Sequence, residues 1–283
     1  MCDEALESWR DGVMDKTNNK SRCSSTPVLQ HSRPSVLGVI PARWGSTRFP
    51  GKSLAMIAGK PLIQRVVERV KLAKRLSGVL VATDDARIRD AVAGLGVTVA
   101  MTRPDHPSGT DRIAEAVSGR AADIVINIQG DEPLIDPALI DRLAAVLADD
   151  VAGTWDMATA AAAIVSDEDV RNPSVVKVVR DTAGKALYFS RSPIPFVREK
   201  DSGAGGGESL YWRHIGIYAY RRTYLEKLVK TPPCALENAE KLEQLRALFI
   251  GCRMKVIETA EAAVGVDTPE DVSRVEKALE SGA

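Results

Sequence analysis

What the chain lacks narrows its class first. Its 283 residues include four cysteines, Cys2, Cys23, Cys234 and Cys252, and no two stand at CxxC spacing. That pattern supports neither a zinc site nor a disulfide framework, so the cysteines read as reduced thiols. An excess of one charge is also missing. Lys+Arg and Asp+Glu both total 38, giving a formal net charge of zero. No global field draws the chain to nucleic acid or to an anionic membrane, so any anion site has to be local. No apolar run approaches the roughly 20 residues of a membrane-spanning helix, and residues 1–34 lack the apolar core of a signal peptide. The expectation is a cytoplasmic protein with no membrane insertion and no nucleic-acid partner. There is no GxxxxGK[ST] and no GxGxxG, so neither P-loop NTPase nor dinucleotide binding follows. No Ser/His/Asp or Cys/His set for covalent catalysis is evident.

What is there is ordinary in bulk, with 45% apolar and 27% charged residues. The length suits one large domain or two small ones. Residues 1–34 are polar and aperiodic, with clusters such as KTNNKSRCSSTP, and read as a disordered extension. The texture changes at Ser35. VLGVI (36–40), GVLVATDD (78–85), VTVAM (97–101) and DIVINIQGDEP (123–133) are short apolar runs of the kind that form strands covered on both faces. Between and after them, residues 61–76, 86–96, 110–119 and 136–150 carry helical spacing, with Thr110 near one N-cap and Pro137 in a first turn. Strand and helix alternate four times, which predicts an α/β domain with a mostly parallel sheet. Polar residues Arg43, Asp84 and Asp131 gather after the strands, where open α/β sheets bind ligands.

The middle differs. Residues 175–222 are rich in β-branched and aromatic residues and predict longer antiparallel strands, interrupted by the flexible loop DSGAGGGES (201–209). ALENAEKLEQLRALFIG (235–251) reads as one helix, MKVIETA (254–260) as a strand, and TPEDVSRVEKALES (268–281) as a last helix. That helix has Thr268 as its cap, Pro269 at N1 and Asp271 at N3.

Three local patterns carry chemistry. First, the run PARWGSTRFPGK (41–52) follows a buried strand and offers Arg43, Arg48 and Lys52 among glycines and hydroxyls. Glycines let backbone N–H groups approach a ligand, and clustered cations suit a polyphosphate; the bland alternative is a solvated basic loop. Second, Asp131 and Asp267 each end an apolar run, and paired carboxylates can share a hard cation with substrate phosphates. For Asp267 the alternative is a helix N-terminal carboxylate, and Glu132 is the weaker neighbour of Asp131. Third, at about 100° per residue, Leu236, Ala239, Leu242, Leu245 and Phe249 of the 235–251 helix form an apolar arc, with Glu237, Glu240, Lys241 and Gln244 opposite. Glu243 and Arg246 fall inside that arc and must be partnered, either by each other or by a ligand.

The loop PAR-x-GSTR-x-PGK resembles the signature of the sugar-activating cytidylyltransferases, and in particular the 3-deoxy-D-manno-octulosonate (Kdo) cytidylyltransferase family. The likeness continues through VATDD (81–85), MTRPDHPSGTDR (101–112), NIQGDEP (127–133), VVKVV (175–179), ALYFSR (186–191), RHIGIYAY (213–220), LEQLR (242–246) and GVDTPED (265–271). It covers about Val36 to Val275 in order, which makes it specific. The resemblance implies a three-layer, Rossmann-like domain of the nucleotide-diphospho-sugar transferase type over residues 35–283, with the β-rich segment 175–222 forming a homodimer. It implies transfer of CMP from CTP to Kdo, releasing pyrophosphate, for lipopolysaccharide synthesis. Asp131 and Asp267 would hold Mg²⁺ and, with Lys52 and Arg43, form the catalytic set. Ala42, Arg43, Ser46, Arg48, Lys52, Arg103, Ser108, Gly109 and Thr110 would meet the nucleotide. Gln129, Tyr188, Arg191, His214, Glu237, Glu243 and Gln244 would meet the sugar acid. His106 lies in the matching DH-x-SGT segment. Family members often read LEHIEMLEQLR where this chain has LENAEKLEQLR, so Asn238 and Lys241 depart from the pattern. Three alternatives stay open: a cytidylyltransferase for another sugar acid, a sugar-1-phosphate nucleotidyltransferase, and a nucleotide-binding module without chemistry.

Overall fold

The computed structural model describes residues 33–45, 49–198, 209–260 and 265–281. Residues 1–32 of the expected extension, most of the 201–209 loop, and Ser46 and Arg48 lie outside the described residues. In chain order the strands are β1 (Val36–Ala42), β2 (Met56–Ile57), β3 (Lys60–Pro61), β4 (Gly78–Thr83), β5 (Thr98–Met101), β6 (Ile124–Asn127), β7 (Met157–Ala163), β8 (Lys177–Arg180), β9 (Ala186–Ser190), β10 (Trp212–Arg221) and β11 (Met254–Thr259). The helices are α1 (Leu62–Val70), α2 (Ala86–Ala91), α3 (Gly109–Val117), α4 (Pro137–Ala148), α5 (Asp167–Arg171), α6 (Arg222–Lys230), α7 (Ala235–Glu240), α8 (Gln244–Phe249) and α9 (Pro269–Glu280). The hairpin β2–β3 stands apart from the main sheet.

Apolar alternation along the strands builds two cores. On one face Ile40, Ile124, Ile126 and Ala160 pack with Leu62, Val66 and Val70 of α1, Ile140 and Leu143 of α4, and Val275 of α9. On the other face Val39, Leu80, Val125 and Met157 pack with Ile113 and Val117 of α3, Leu225 of α6 and Leu245 of α8. The result is three layers, with the sheet between helices, as its strand patterns predict.

The main path of the sheet runs β11-β7-β10-β6-β1-β4-β5. β1 pairs in parallel with β4 on one side and with β6 on the other, and β4 pairs in parallel with β5. The chain therefore winds outward from β1 through β4 to β5, then returns to lay β6 on the opposite flank. That reversal is the switch point at which open α/β sheets form a ligand crevice beyond the strand ends. The segment 175–222 is antiparallel as expected, but it is no separate appendage. β10 lies inside the main sheet, antiparallel to both β6 and β7, and the β8–β9 hairpin branches from its N-terminal half.

One expectation is corrected. Residues 235–251 do not form one helix. Lys241 adopts a left-handed conformation with φ +53° and divides the segment into α7 and α8. A wheel drawn through the break misplaces its faces: Gln244 is buried, whereas Leu236 and Phe249 are exposed. Thr110 is near the start of α3 as expected: the cap is Ser108, whose hydroxyl accepts from the Asp111 N–H, and Thr110 is the second helical residue. The last helix is as expected: Thr268 and Asp271 form a capping box with Pro269 at N1.

The crevice is tightest where β1 and β6 end. A Cβ placed on Gly130 would come 2.7 Å from the Pro41 carbonyl oxygen. Both partners are backbone, so neither can swing aside. Gly130→Ala should push the two strand ends apart and cost about 1–3 kcal/mol of stability, measurable by urea unfolding, with a parallel loss of ligand binding.

Candidate active site

The crevice at this switch point is a cleft of about 310 Å³. The end of β1 contributes Ala42 and Arg43, the turn before α3 contributes Ser108 and Gly109, and the segment after β6 contributes Gln129 and Asp131. Lys52 and Asp267 close its rim. Eight of the residues singled out in the sequence thus meet around one space.

Local chemistry aims each of them. Gly51 holds φ +71° ahead of a single 3₁₀ turn at Lys52–Leu54. The ring of Trp44 covers Gly51 so closely that a Cβ would lie 2.8 Å from it, and the Gly51 N–H donates to the Trp44 carbonyl. Only glycine takes this conformation beneath an indole without strain. The Arg87 guanidinium lies 3.3 Å from the centre of the same ring and is itself held by Asp85. The loop is therefore pinned on its outer side, and Lys52 turns inward.

Its ammonium stands 2.6 Å from Asp131 Oδ2 and 3.4 Å from Asp267 Oδ1. Asp131 is fixed by its backbone, which accepts from the Val266 N–H. Asp267 immediately precedes the capping box, its own N–H donating to Asp271. Two carboxylates from distant strands thus converge on one cation. Beside them, burial and the Asp131 charge raise the Glu132 carboxyl to about 8, and its Oε2 is buried without a hydrogen bond.

Beneath the cleft lies a residue the sequence reading passed over. Arg112 is almost fully buried and lines the floor. It donates to Thr102 Oγ1 at 2.6 Å and to Asp84 Oδ2 at 3.0 Å, joining the ends of β4 and β5 to α3. Its signal was available: a charged residue four positions after the cap of an amphipathic helix, on the helix's apolar side. His106 also lines the cleft and is hydrogen-bonded to Glu115. Arg103, from the same segment, is mostly exposed and faces Glu115 and Asp105 rather than the cleft.

Thr110 does not line the cleft. It is buried, and its hydroxyl donates to Glu243 Oε2. Glu243 Oε1 accepts from Arg246 at 3.0 Å, and Arg246 also meets Glu237 at 3.1 Å. The two charged residues of the supposed apolar arc are paired with each other. Glu237 and Glu243 line a neighbouring groove that shares Pro107 and Ser108 with the cleft. Gln129 donates to the Gly216 carbonyl at 2.7 Å. Arg191 donates to the carbonyls of Glu240, Pro173 and Lys241. Tyr188 is half-buried on β9, and Gln244 is buried at the start of α8.

The family model described as Cytidylyltransferase matches residues 37–257. The 3-deoxy-manno-octulosonate cytidylyltransferase of Geobacter sulfurreducens is 53% identical over 246 residues, covering 85% of this chain and 98% of that protein. The chain belongs to the 3-deoxy-manno-octulosonate cytidylyltransferase family. A second relative of that name, from Bdellovibrio bacteriovorus, is 52% identical over 87% of this chain and 98% of its own length. Among solved structures, CMP:2-keto-3-deoxy-manno-octonic acid synthetase complexed with CTP is 44% identical, with a TM-score of 0.82, covering 88% of this chain and all of that one. A cytidylyltransferase from Leptospira borgpetersenii, 18% identical with a TM-score of 0.59 and covering 88% of each chain, shares the fold.

His214 lies on β10. Its imidazole packs edge-on to Phe189 and bonds Thr159 Oγ1 at 3.0 Å. Burial lowers its pKa from 6.5 to about 3, so the ring is neutral. The unfolded chain binds this proton more readily than the folded one. The contribution of His214 is therefore complete above pH 6.5 and declines towards pH 3, by up to about 1.4 kcal/mol per pH unit. Urea unfolding at pH 8 and pH 5 should show a larger loss for the wild type than for His214→Gln; equal losses would remove His214 as the cause.

Proposed function

We propose that the chain transfers CMP from CTP to the anomeric hydroxyl of Kdo and releases pyrophosphate. The convergence of Lys52, Asp131 and Asp267 at the switch point carries this reading, in a chain of that family. The anomeric oxygen attacks the α-phosphorus in line. The bond to the bridging oxygen of the β-phosphate breaks, pyrophosphate departs, and the hydroxyl proton passes to water. Arg43 and Lys52 offset charge on the triphosphate and on the leaving group. The Ser108-Gly109 turn and the backbone at Ala42 seat the nucleotide. Gln129, Glu237, Glu243, His214, Arg191, Tyr188 and Gln244 shape the sugar side, directly or through their neighbours. Arg103 supports the nucleotide side, and Ser46 and Arg48 belong to the phosphate loop.

Magnesium fits this donor set. Two carboxylates already face a single cationic group, and oxygen-only ligation that leaves positions for water and phosphate is what Mg²⁺ accepts. Asp131 and Asp267 would hold it, and when bound it polarises the α-phosphate and lowers the pKa of a nearby hydroxyl. Lys52 would then yield the two carboxylates and turn to the phosphates.

The same reading extends to assembly and setting. Leu187, Phe196 and Leu210 expose apolar side chains on the segment around β9 and β10. These support a homodimer formed through that segment. The proposed setting is the cytoplasm, with the product supplying lipopolysaccharide synthesis; no helix among the described residues is long and apolar enough to cross a membrane.

Pyrophosphate release from CTP and Mg²⁺ tests the reaction, with Kdo, N-acetylneuraminate or no sugar added. Release is expected only with Kdo; release with the other acid alone would move the chain to a different sugar, and CTP binding without release would leave a nucleotide-binding module. Chelation by EDTA should abolish turnover and added Mg²⁺ should restore it. Asp131→Asn should lower the rate at least about tenfold with an unchanged circular dichroism spectrum. A near-normal rate would take Asp131 out of the mechanism.

A further inference from the structure

The segment Ser108-Gly109-Thr110 divides between two environments. Ser108 caps α3 and, with Gly109, lines the nucleotide cleft. Successive helical residues turn by about 100°, so the next side chain leaves the cleft and points towards α8. There the Thr110 hydroxyl meets Glu243, which is 133 residues further along the chain. The Tyr220 hydroxyl lies beside Thr110 and Asn127, closing the pocket from the sheet. Glu243 is the partly exposed end of this set, with 28% of its side chain accessible, while Arg246 behind it is almost fully buried.

We propose that Thr110 is a positioning residue for the sugar acid: its hydroxyl, carried on the nucleotide-binding helix, fixes the Glu243 carboxylate in the sugar groove. This deepens the reading given above and rests on it. A carboxylate on one turn of α8 has several rotamers. Arg246 holds one oxygen from the first turn of the helix that Glu243 precedes, at a spacing of three residues, and so travels with it. Thr110 holds the other oxygen from a separate helix, α3, and it alone of the two relates Glu243 to the nucleotide cleft. The hydrogen bond is charge-assisted and largely screened from water, which places it among the stronger ones. Without it, Glu243 keeps its ion pair but loses its aim.

The assignment separates two substrates that act at one site. Thr110→Val keeps shape and removes the hydroxyl; Thr110→Ser keeps the hydroxyl. Steady-state pyrophosphate release gives KM for Kdo and for CTP separately. Thr110→Val should raise KM for Kdo roughly tenfold, as expected for one lost hydrogen bond to a charged group, and leave KM for CTP within about twofold. Thr110→Ser should restore KM for Kdo. A rise in KM for CTP would place Thr110 in the nucleotide subsite and overturn the proposal, as would two unchanged constants. Should Thr110→Val fail to fold, Glu243→Gln supplies the same test, because weakening the acceptor should also raise KM for Kdo alone; an effect on CTP would again overturn it. Calorimetric binding of CTP to the wild type distinguishes the two levels of failure. If CTP binds and no Kdo turnover occurs, the sugar reading itself fails and this assignment falls with it.

Discussion

The ammonium of Lys52 is the point on which this architecture depends. Asp131 and Asp267 approach it from segments 79 and 215 residues away, and two carboxylates brought so near each other repel unless a cation lies between them. The fold does not pay for that repulsion with burial alone. It supplies the cation from a loop whose outer side is pinned by Trp44 on Gly51 and by Arg87 on Trp44. The same geometry prepares a place where phosphate charge can be received, because the groups that stabilise the resting site are those that a triphosphate and its metal engage.

Much of this was legible in the sequence. The strands β1, β4, β5 and β6 announce themselves as β-branched runs, and polar residues at their ends mark the crevice. The capping box of α9 follows directly from Thr268, Pro269 and Asp271. Strand β7 does not announce itself: its residues, MATAAAA, carry neither alternation nor β-branching beyond one threonine. It becomes a strand because β10 and β11 flank it and because alanine fits a sheet crowded on both faces. Tertiary context outweighs propensity there.

The sugar side was less legible for a different reason. A helical wheel needs an unbroken helix, and nothing in LENAEKLEQLR marks a left-handed residue as glycine would. Lys241 nevertheless takes that conformation, at a cost of about 1–2 kcal/mol. Because of that break, Gln244 turns inward and Arg246 reaches both Glu237 and Glu243. The carboxylates and guanidinium are legible as residues that need partners; which partners they find depends on a backbone angle that composition does not encode.

The position of Asp267 has a consequence for biogenesis. It follows β11, the last strand of the sheet among the described residues, and is held by the first turn of α9. A nascent chain emerging from the ribosome can assemble β1, β4, β5 and β6 while the site still lacks one of its two carboxylates. The pair of carboxylates around Lys52 is therefore complete only once α9 has been made.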